Sequence, residues 1–439
     1  MGQAEKEIRH VEFRRTHLNY EPFERVTATV SFLTDKSALT QQRRGAGGAR
    51  EVKIVGIRAT PINIPLEAPM WWTGGLYPGT SKAIVEVETD DGLVGLGEAP
   101  SADVCEMIVA MGEALAGRDP IDIAGCERVC VPPWQIVQNT DDARVVKAFG
   151  AIEIALWDLR GKAWGQPLST LLGGKVREAV AFSEYFGFRE GREMTPEAVV
   201  DYCLAMRDQH GSTIFEGKLI RGDPLLEVET VRRLREALGP SAEVRLDSNM
   251  QWSLTAARRV LRMLADYDVS NYEDPVATFE EMAALRRHSD IPFSTHVPDL
   301  RRAVALGVPD FIVTNFAVLG GIGRALRFIG ACEAMGVGFW CYSGDAGICT
   351  AAYLHVSAAT PWITQASQSL FRWQIGDVIE GGPFRQVDNV VSVPEGPGLG
   401  VVLDHAALKT WHRHYVDNGP LDHFRDPAFP GRHRRIPLR

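Results

Sequence analysis

Three side chains that can bind a divalent metal ion stand at the ends of separate apolar runs in this sequence. Asp247 and Glu273 lie 26 residues apart, and His296 follows Glu273 by 23 residues. Strand–helix units of that length bring the ends of neighbouring parallel strands onto one face of a barrel. Two carboxylates and an imidazole that converge there can bind a divalent cation. Asp299 is an alternative third ligand, and the two carboxylates could instead cap the helices that follow them.

A lysine precedes this group by one predicted strand. Lys218 ends the run Thr-Ile-Phe-Glu-Gly-Lys, where a lysine is costly unless its amine reaches a polar cavity. A divalent cation nearby favours the neutral amine, which can act as a base and remove a proton next to a carboxylate. Glu216 shares the strand face and would favour the charged amine. A surface ion pair is the simpler alternative for Lys218.

The second half of the chain repeats one pattern of strand and helix. Short β-branched or aromatic runs begin near residues 180, 213, 243, 269, 291, 310, 337 and 362. Amphipathic helical segments separate most of these runs. Thr195-Pro196 predicts the start of the first helix, and Gly239 predicts the end of the second. Eight such strands predict a closed parallel barrel, whose active site forms at the carboxyl ends of the strands.

The first half of the chain has a different character. Strands are predicted to begin at Val52 and Lys82, and helices occupy 102–172. The loop between the two strands contains Trp72 and Thr73, and we interpret it as a lid over a ligand or as a loop anchored on its own domain. The predicted units are an N-terminal extension or linker (1–50), a capping domain (51–175), a barrel (176–395) and a C-terminal segment (396–439).

Composition excludes several classes of function. The 439-residue chain is 45% hydrophobic and 23% charged, as in ordinary globular proteins. Its net charge of −9 argues against a nucleic-acid partner. The sequence contains neither an apolar run of membrane-spanning length nor a signal peptide, so we expect a cytoplasmic protein without a membrane partner. The seven scattered cysteines are expected to be reduced thiols.

Together these motifs resemble those of the enolase superfamily, in its mandelate racemase and glucarate dehydratase group. The resemblance spans roughly 51–405 and rests on the Lys218 strand and on the segments 151–173, 244–249, 271–275 and 293–296. Segments 351–361 and 396–400 are most similar to acid-sugar dehydratases of the glucarate dehydratase type. The resemblance implies an α/β fold, a modified TIM barrel (β/α)7β with an N-terminal α+β capping domain. It also implies Mg²⁺ and abstraction of the proton α to a carboxylate through a metal-stabilised enediolate.

Residue roles follow from the resemblance by position. The metal ligands would be Asp247, Glu273 and His296, and the base would be Lys218. Asn249 would help to hold the substrate. We assign substrate contacts also to Trp72 and Thr73 in the lid and to Glu216 beside the base.

Three departures from the pattern of the group involve four positions. Glu216 replaces a helper lysine, and His296 replaces a carboxylate or an asparagine, which makes Mn²⁺ or another divalent metal compatible. Asn315 and Tyr342 stand where the group carries an Asp–His dyad. Racemisation needs a base on each face of the substrate, so these changes favour a one-base elimination. Tyr342 could donate the proton to the leaving hydroxyl, or Lys218 could return it.

The sequence therefore predicts a metal-dependent lyase that dehydrates an acid sugar or a related hydroxy acid. Another one-base reaction, cycloisomerisation or epimerisation, is the first alternative. A non-catalytic ligand-binding homologue is the second, favoured by the lost helper lysine and disfavoured by the retained Lys218. The expected partner is a small carboxylate, and the N-terminal extension and the habits of the family favour a homo-oligomer.

Overall fold

A computed structural model describes residues 52–131, 140–220, 223–342 and 344–421 of the chain. The predicted extension at 1–50 and the end of the C-terminal segment lie outside these residues. Within the described ranges, every helix is too short or too polar to cross a lipid bilayer.

An antiparallel sheet with flanking helices forms the N-terminal part. The sheet has the order β1-β2-β3, with β1 at Ile54–Trp72, β2 at Gly75–Thr89 and β3 at Val94–Ala99. The helices are α1 (Cys105–Leu115), α2 (Ile123–Cys130), α3 (Thr140–Trp164) and α4 (Leu168–Leu171). This is the expected α+β arrangement.

The loop predicted between the first two strands is instead a paired hairpin. Trp72 and Gly75 are partners in the register of β1 and β2, so Thr73 and Gly74 form a tight turn. Three prolines between positions 61 and 69 hid this strand in the sequence. They are tolerated because β1 lies at the edge of the sheet, where a missing amide leaves no ladder hydrogen bond unmade.

Seven parallel strands in chain order form the second sheet. They are β5 (Glu184–Gly187), β6 (Ile214–Lys218), β7 (Glu243–Asp247), β8 (Asn271–Glu273), β9 (Phe293–Thr295), β10 (Phe311–Thr314) and β11 (Gly338–Cys341). Ser367 bridges to Phe182, and the Gln368 amide donates to the Cys341 carbonyl at 3.1 Å. The run predicted near residue 362 therefore closes the sheet, which confirms the barrel.

Helices alternate with these strands as the periodicity predicted. They are α5 (Pro196–His210), α6 (Pro224–Leu238), α7 (Leu254–Leu264), α8 (Phe279–Arg286), α9 (Leu300–Leu306), α10 (Phe316–Leu319), α11 (Ile322–Met335) and α12 (Gly347–Ala359). Thr195 caps α5 by accepting from the Ala198 amide, and Gly239 ends α6 with a φ of 78°.

The remaining elements lie outside this alternation. β4 (Ala179–Ala181) pairs with β12 (Val390–Ser392). The C-terminal helix α13 (His405–Asn418) lies against β1, where His412 Nδ1 is 2.7 Å from the Pro61 carbonyl.

Two buried carboxylates on α3 attach the N-terminal domain to the barrel. Glu153 accepts from the amides of Ile322 and Gly323 at 2.6 and 2.9 Å, which are the first free amides of α11. Asp158 accepts from the amides of Leu96 and Leu399 at 2.8 and 2.7 Å. Each carboxylate therefore satisfies backbone donors in segments distant in sequence, which fixes the position of the sheet over the barrel.

The tip of the β1–β2 hairpin is attached to the mouth of the barrel. The Trp71 amide donates to the Phe188 carbonyl at 2.9 Å, and the Glu190 amide donates to the Pro69 carbonyl at 2.7 Å. Arg189 lies between these bonds and stacks on Tyr202 and on Trp373. The hairpin is thus held over the carboxyl ends of the strands by backbone pairing.

Loss of the Glu153 carboxylate should destabilise the protein. Glu153→Ala leaves two buried helix amides without an acceptor, so we expect the free energy of unfolding to fall by about 2–4 kcal/mol. Urea unfolding should be measured at pH 8, because burial raises the pKa of Glu153 to about 7. Glu178→Ala, which removes a side chain that is 78% exposed, should leave the urea midpoint unchanged. Equal midpoints for the two variants would contradict this role of Glu153.

Candidate active site

The predicted metal-binding side chains meet at the carboxyl ends of adjacent strands. Lys218, Asp247 and Glu273 are the last residues of β6, β7 and β8, and His296 directly follows β9. One ligand atom from each of Asp247, Glu273 and His296 lies within 4.8 Å of the other two. Both carboxylates are buried. The spacing in the sequence thus corresponds to proximity in space, as expected.

Hydrogen bonding directs these atoms toward a common point. His296 Nδ1 lies 3.2 Å from the Val313 carbonyl, which can only accept, so Nδ1 carries the hydrogen and Nε2 faces Glu273. Glu273 Oε1 is fully buried and lies 2.6 Å from His296 Nε2. The other oxygen, Oε2, accepts from Gln368 at 2.6 Å. A buried carboxylate oxygen that faces a fixed imidazole nitrogen is a donor set that suits a divalent cation.

The charge of the site also favours a cation. Burial lowers the pKa of His296, but attraction to Glu273 and its acidic neighbours overcomes this effect and raises that pKa to about 10. Burial raises the pKa of Glu273 to about 7. Carboxylates that hold a proton this strongly on an imidazole also attract a metal ion, which competes with the proton for the same nitrogen.

Lys218 and Asn249 both contact Asp247. The Lys218 ammonium forms an ion pair with Asp247 Oδ2. The Asn249 amide and side chain donate to the two oxygens of the same carboxylate at 2.8 and 3.1 Å, while Asn249 Oδ1 is buried without a partner. Asp247 is therefore held from two sides, and Lys218 stands beside the candidate metal ligands.

A cavity of about 390 Å³ lies over these strand ends. Its floor includes Lys218, Asp247, Asn249 and His296, and its roof comes from the hairpin. The other lining residues are Met70, Trp72, Tyr77, Thr80, Ser81, Lys82, Pro100, Tyr185, Thr314, Asn315, Val318, Tyr342, Gln368 and Leu370. Trp72 thus contributes to the roof, as the sequence predicted.

Two residues predicted to contact substrate lie outside this lining. The Thr73 hydroxyl donates to the Ser248 carbonyl at 2.9 Å, which attaches the hairpin turn to the end of β7. Glu216 lies inside the barrel, where its carboxylate accepts from Ser183 and Gln368. Thr73 is directed away from the cavity by the tight turn, whereas Glu216 shares the inner face with Lys218 and lies deeper in the barrel, below Gln368.

The alternative third ligand is excluded by its position. Asp299 is exposed and caps α9, with its carboxylate accepting from the Arg302 amide at 3.1 Å. Asn315 and Tyr342 both line the cavity. Asn315 also caps α10, accepting from the Val318 amide at 2.9 Å, and the Tyr342 ring packs against the edge of His296 with centroids 5.2 Å apart. Burial raises the pKa of Tyr342 to about 12.

A second lysine in the cavity was missed in the sequence. Lys82, from β2, pairs with Asp345 at 2.5 Å, and both side chains are almost fully buried. Asp345 also accepts from the Tyr353 hydroxyl. Lys82 begins an apolar strand run, which is the signal that singled out Lys218 in the barrel. That signal could have found Lys82, but its partner is 263 residues away in sequence.

Comparison with known proteins agrees with this architecture. The model of the mandelate racemase/muconate lactonizing enzyme N-terminal domain matches residues 55–173, and that of the enolase C-terminal domain-like family matches residues 198–407. The chain belongs to the enolase superfamily.

Superfamily members of more than one activity are similar to this chain. A probable glucarate dehydratase from Streptomyces coelicolor is 30% identical over 422 residues, covering 86% of this chain and 95% of the relative. Muconate cycloisomerase 1 from Rhodococcus opacus is 28% identical, covering 83% and 99%. The crystal structure of an enolase from Pseudomonas fluorescens with bound magnesium, potassium and tartrate superposes with a TM-score of 0.80 at 28% identity, covering 88% of this chain and 100% of the other.

Metal titration tests the three candidate ligands directly. Glu273→Gln removes one anionic donor, so we expect the affinity for Mn²⁺ to fall by more than about tenfold in isothermal titration calorimetry. Asp299→Asn changes the alternative ligand and should leave the affinity as it is. An equal loss in the two variants would show that the cation binds elsewhere.

Proposed function

We propose that this enolase-superfamily protein is a metal-dependent lyase that dehydrates an acid sugar or a related hydroxylated carboxylate. The observation that carries the proposal is the position of Lys218, which lines the cavity beside three side chains able to bind a cation. The dehydratase relative from Streptomyces coelicolor supports the reaction class. The tartrate in the Pseudomonas fluorescens structure supports a small hydroxylated carboxylate as the ligand.

Mg²⁺ is the proposed cofactor, because the Pseudomonas fluorescens enolase contains it. Asp247, Glu273 and His296 would hold the ion, and the two carboxylates would balance its charge. The imidazole makes Mn²⁺ an acceptable substitute. A bound ion supplies a fixed positive charge, which lowers the cost of negative charge on the substrate carboxylate.

Lys218 would take the proton from the carbon next to the carboxylate. Lys218 is only 7% exposed, so a substrate can reach its amine only through the cavity. Asn249 holds the Asp247 carboxylate beside it and has a free carbonyl oxygen, Oδ1, to accept from a substrate hydroxyl. Trp72 and Tyr77 close the cavity from above and limit water around the reacting carbon.

The two positions where the group carries its Asp–His dyad offer no second base. Asn315 cannot accept a proton at neutral pH, and its oxygen already caps α10. The Tyr342 phenol stays protonated at neutral pH. These features favour elimination over racemisation. The muconate cycloisomerase relative keeps a one-base cycloisomerisation as the second candidate.

Proton NMR in D₂O tests this function. The protein with Mg²⁺ or Mn²⁺ should convert at least one member of a panel of aldarates, aldonates and tartrate into a 2-keto-3-deoxy acid, with deuterium incorporation. Lys218→Met should lower the rate by about 10²–10⁴-fold, since it removes the base. Lys175→Met, which alters a lysine paired with Glu178 on the surface, should retain the rate.

Three results would contradict the proposal. A 2-keto-3-deoxy product formed equally fast by Lys218→Met would exclude Lys218 as the base. A cyclised or epimerised product would move the assignment to the cycloisomerase or epimerase class. If the metal-bound protein converts no compound of the panel, a non-catalytic ligand-binding role would be favoured.

A further inference from the structure

We propose that Lys82 is the general acid of this site and gives its proton to the departing hydroxyl. The inference rests on the proposed dehydration. It assigns the donor side of the reaction to a residue of the N-terminal sheet, whereas the base belongs to the barrel.

Lys82 is buried, and its side chain faces the cavity. Lys82 is paired with Ile62 inside the sheet and is only 4% exposed. Its ammonium has three donors, and Asp345 accepts one of them at 2.5 Å. The side chain lines the cavity together with Thr80 and Ser81. The remaining donors are therefore available to an acceptor on a bound substrate.

Charged neighbours keep Lys82 protonated. Burial disfavours the ammonium, but attraction to Asp345 and Glu98 overcomes it, and the pKa of Lys82 lies above its ordinary value. Asp345 is itself fixed by the Tyr353 hydroxyl, and Glu98 accepts from the amides of Ala346 and Cys349 at the start of α12. Asp345, unlike Asp247, is not one of the candidate metal ligands, so Lys82 keeps its counter-ion and begins each cycle as a proton donor.

Tyr342 lines the same cavity as Lys82 and Lys218. Its ring packs on His296, at the metal-ligand side of the cavity. Its hydroxyl interacts electrostatically with Lys82 and Asp345 and also with Asp247, the partner of Lys218. The cavity thus carries a proton acceptor beside the metal ligands and a proton donor on the N-terminal sheet, the two groups that an elimination requires.

Charge favours Lys82 over Tyr342 as the acid. Loss of a proton from Tyr342 creates an anion in a buried cavity near Asp247, Glu273 and Asp345. Loss of a proton from Lys82 gives a neutral amine and creates no new anion on the donor. The oxygen that leaves is hydroxide-like and far more basic than an amine, so it accepts the proton as the bond breaks.

The proton and electron pairs balance as follows. The α C–H bond breaks, its proton goes to the Lys218 amine, and its electron pair forms the new C=C bond. The β C–O bond breaks, its pair leaves with the oxygen, and Lys82 protonates that oxygen to give water. The enol then gains a proton at the β-carbon from Lys218 and loses its hydroxyl proton to solvent. Lys82 is reprotonated from solvent, and the sum is hydroxy acid to keto acid plus water.

The role of Lys82 can be tested by measuring α-proton exchange and product formation separately. In D₂O, Lys82→Met should retain Lys218-dependent exchange of the α-proton while product formation falls by about 10²-fold or more. Lys82→Arg keeps the positive charge but hardly releases a proton, so it should also exchange without eliminating. Because Lys82→Met leaves Asp345 buried without a partner, Lys82→Met/Asp345→Asn serves as a second variant with both charges removed.

A binding measurement tests the same contact without turnover. Tartrate carries a hydroxyl on the carbon β to either carboxylate, whereas malate bound through its 2-hydroxy acid end has none on that carbon. In a Lys218→Met background with Mg²⁺, tartrate should bind about tenfold more tightly than malate, as expected for a charged hydrogen bond. The preference should fall below about twofold when Lys82→Met is added, and it should persist with Lys82→Arg.

Three results would overturn the inference. Exchange and elimination could fall in equal proportion in both Lys82→Met variants, Tyr342→Phe could produce the split instead, or the tartrate preference could survive the loss of Lys82. Absence of any reaction in the wild-type protein would reject the dehydratase proposal. In that case the tartrate preference still decides whether Lys82 contacts the β-hydroxyl.

Discussion

Burial of like charges at the carboxyl ends of the strands is the constraint on which the rest of the structure depends. Glu216, Asp247 and Glu273 are all at most 3% exposed, on three adjacent strands. Two such charges 4 Å apart repel by about 4 kcal/mol at an effective dielectric of 20. Each carboxylate therefore has its own partner: Lys218 for Asp247, His296 for Glu273, and Arg245, at 3.9 Å, for Glu216. The cost of these charges is a structural reason for a metal ion to bind there.

Much of this arrangement could be predicted from the sequence. Parallel neighbours align the ends of their strands, so the spacing of Asp247, Glu273 and His296 was enough to place them together. Helix caps at Thr195 and Gly239 depend only on local residues and were also predicted.

The missed features depend on pairing between distant segments. Prolines in β1 concealed an edge strand whose partner decides its conformation. The contacts of Thr73 with Ser248 and of Lys82 with Asp345 join the N-terminal sheet to loops of the barrel. No local pattern reports such contacts, because the docking of the two parts determines them. Glu216 shares the inner face with Lys218, as predicted, but lies deeper in the barrel and outside the cavity lining, and the depth of a strand residue depends on the barrel around it.

The Lys82–Asp345 pair has a consequence for how the protein can be divided. Its two charges are contributed by separate parts of the chain, and each is buried only when those parts dock. A barrel produced alone would contain an acidic group without its counter-ion, and a transplanted N-terminal domain lacking this lysine would introduce the same mismatch. An exchange of either part with that of a relative would therefore keep the ion pair only if the new part carries the matching charge.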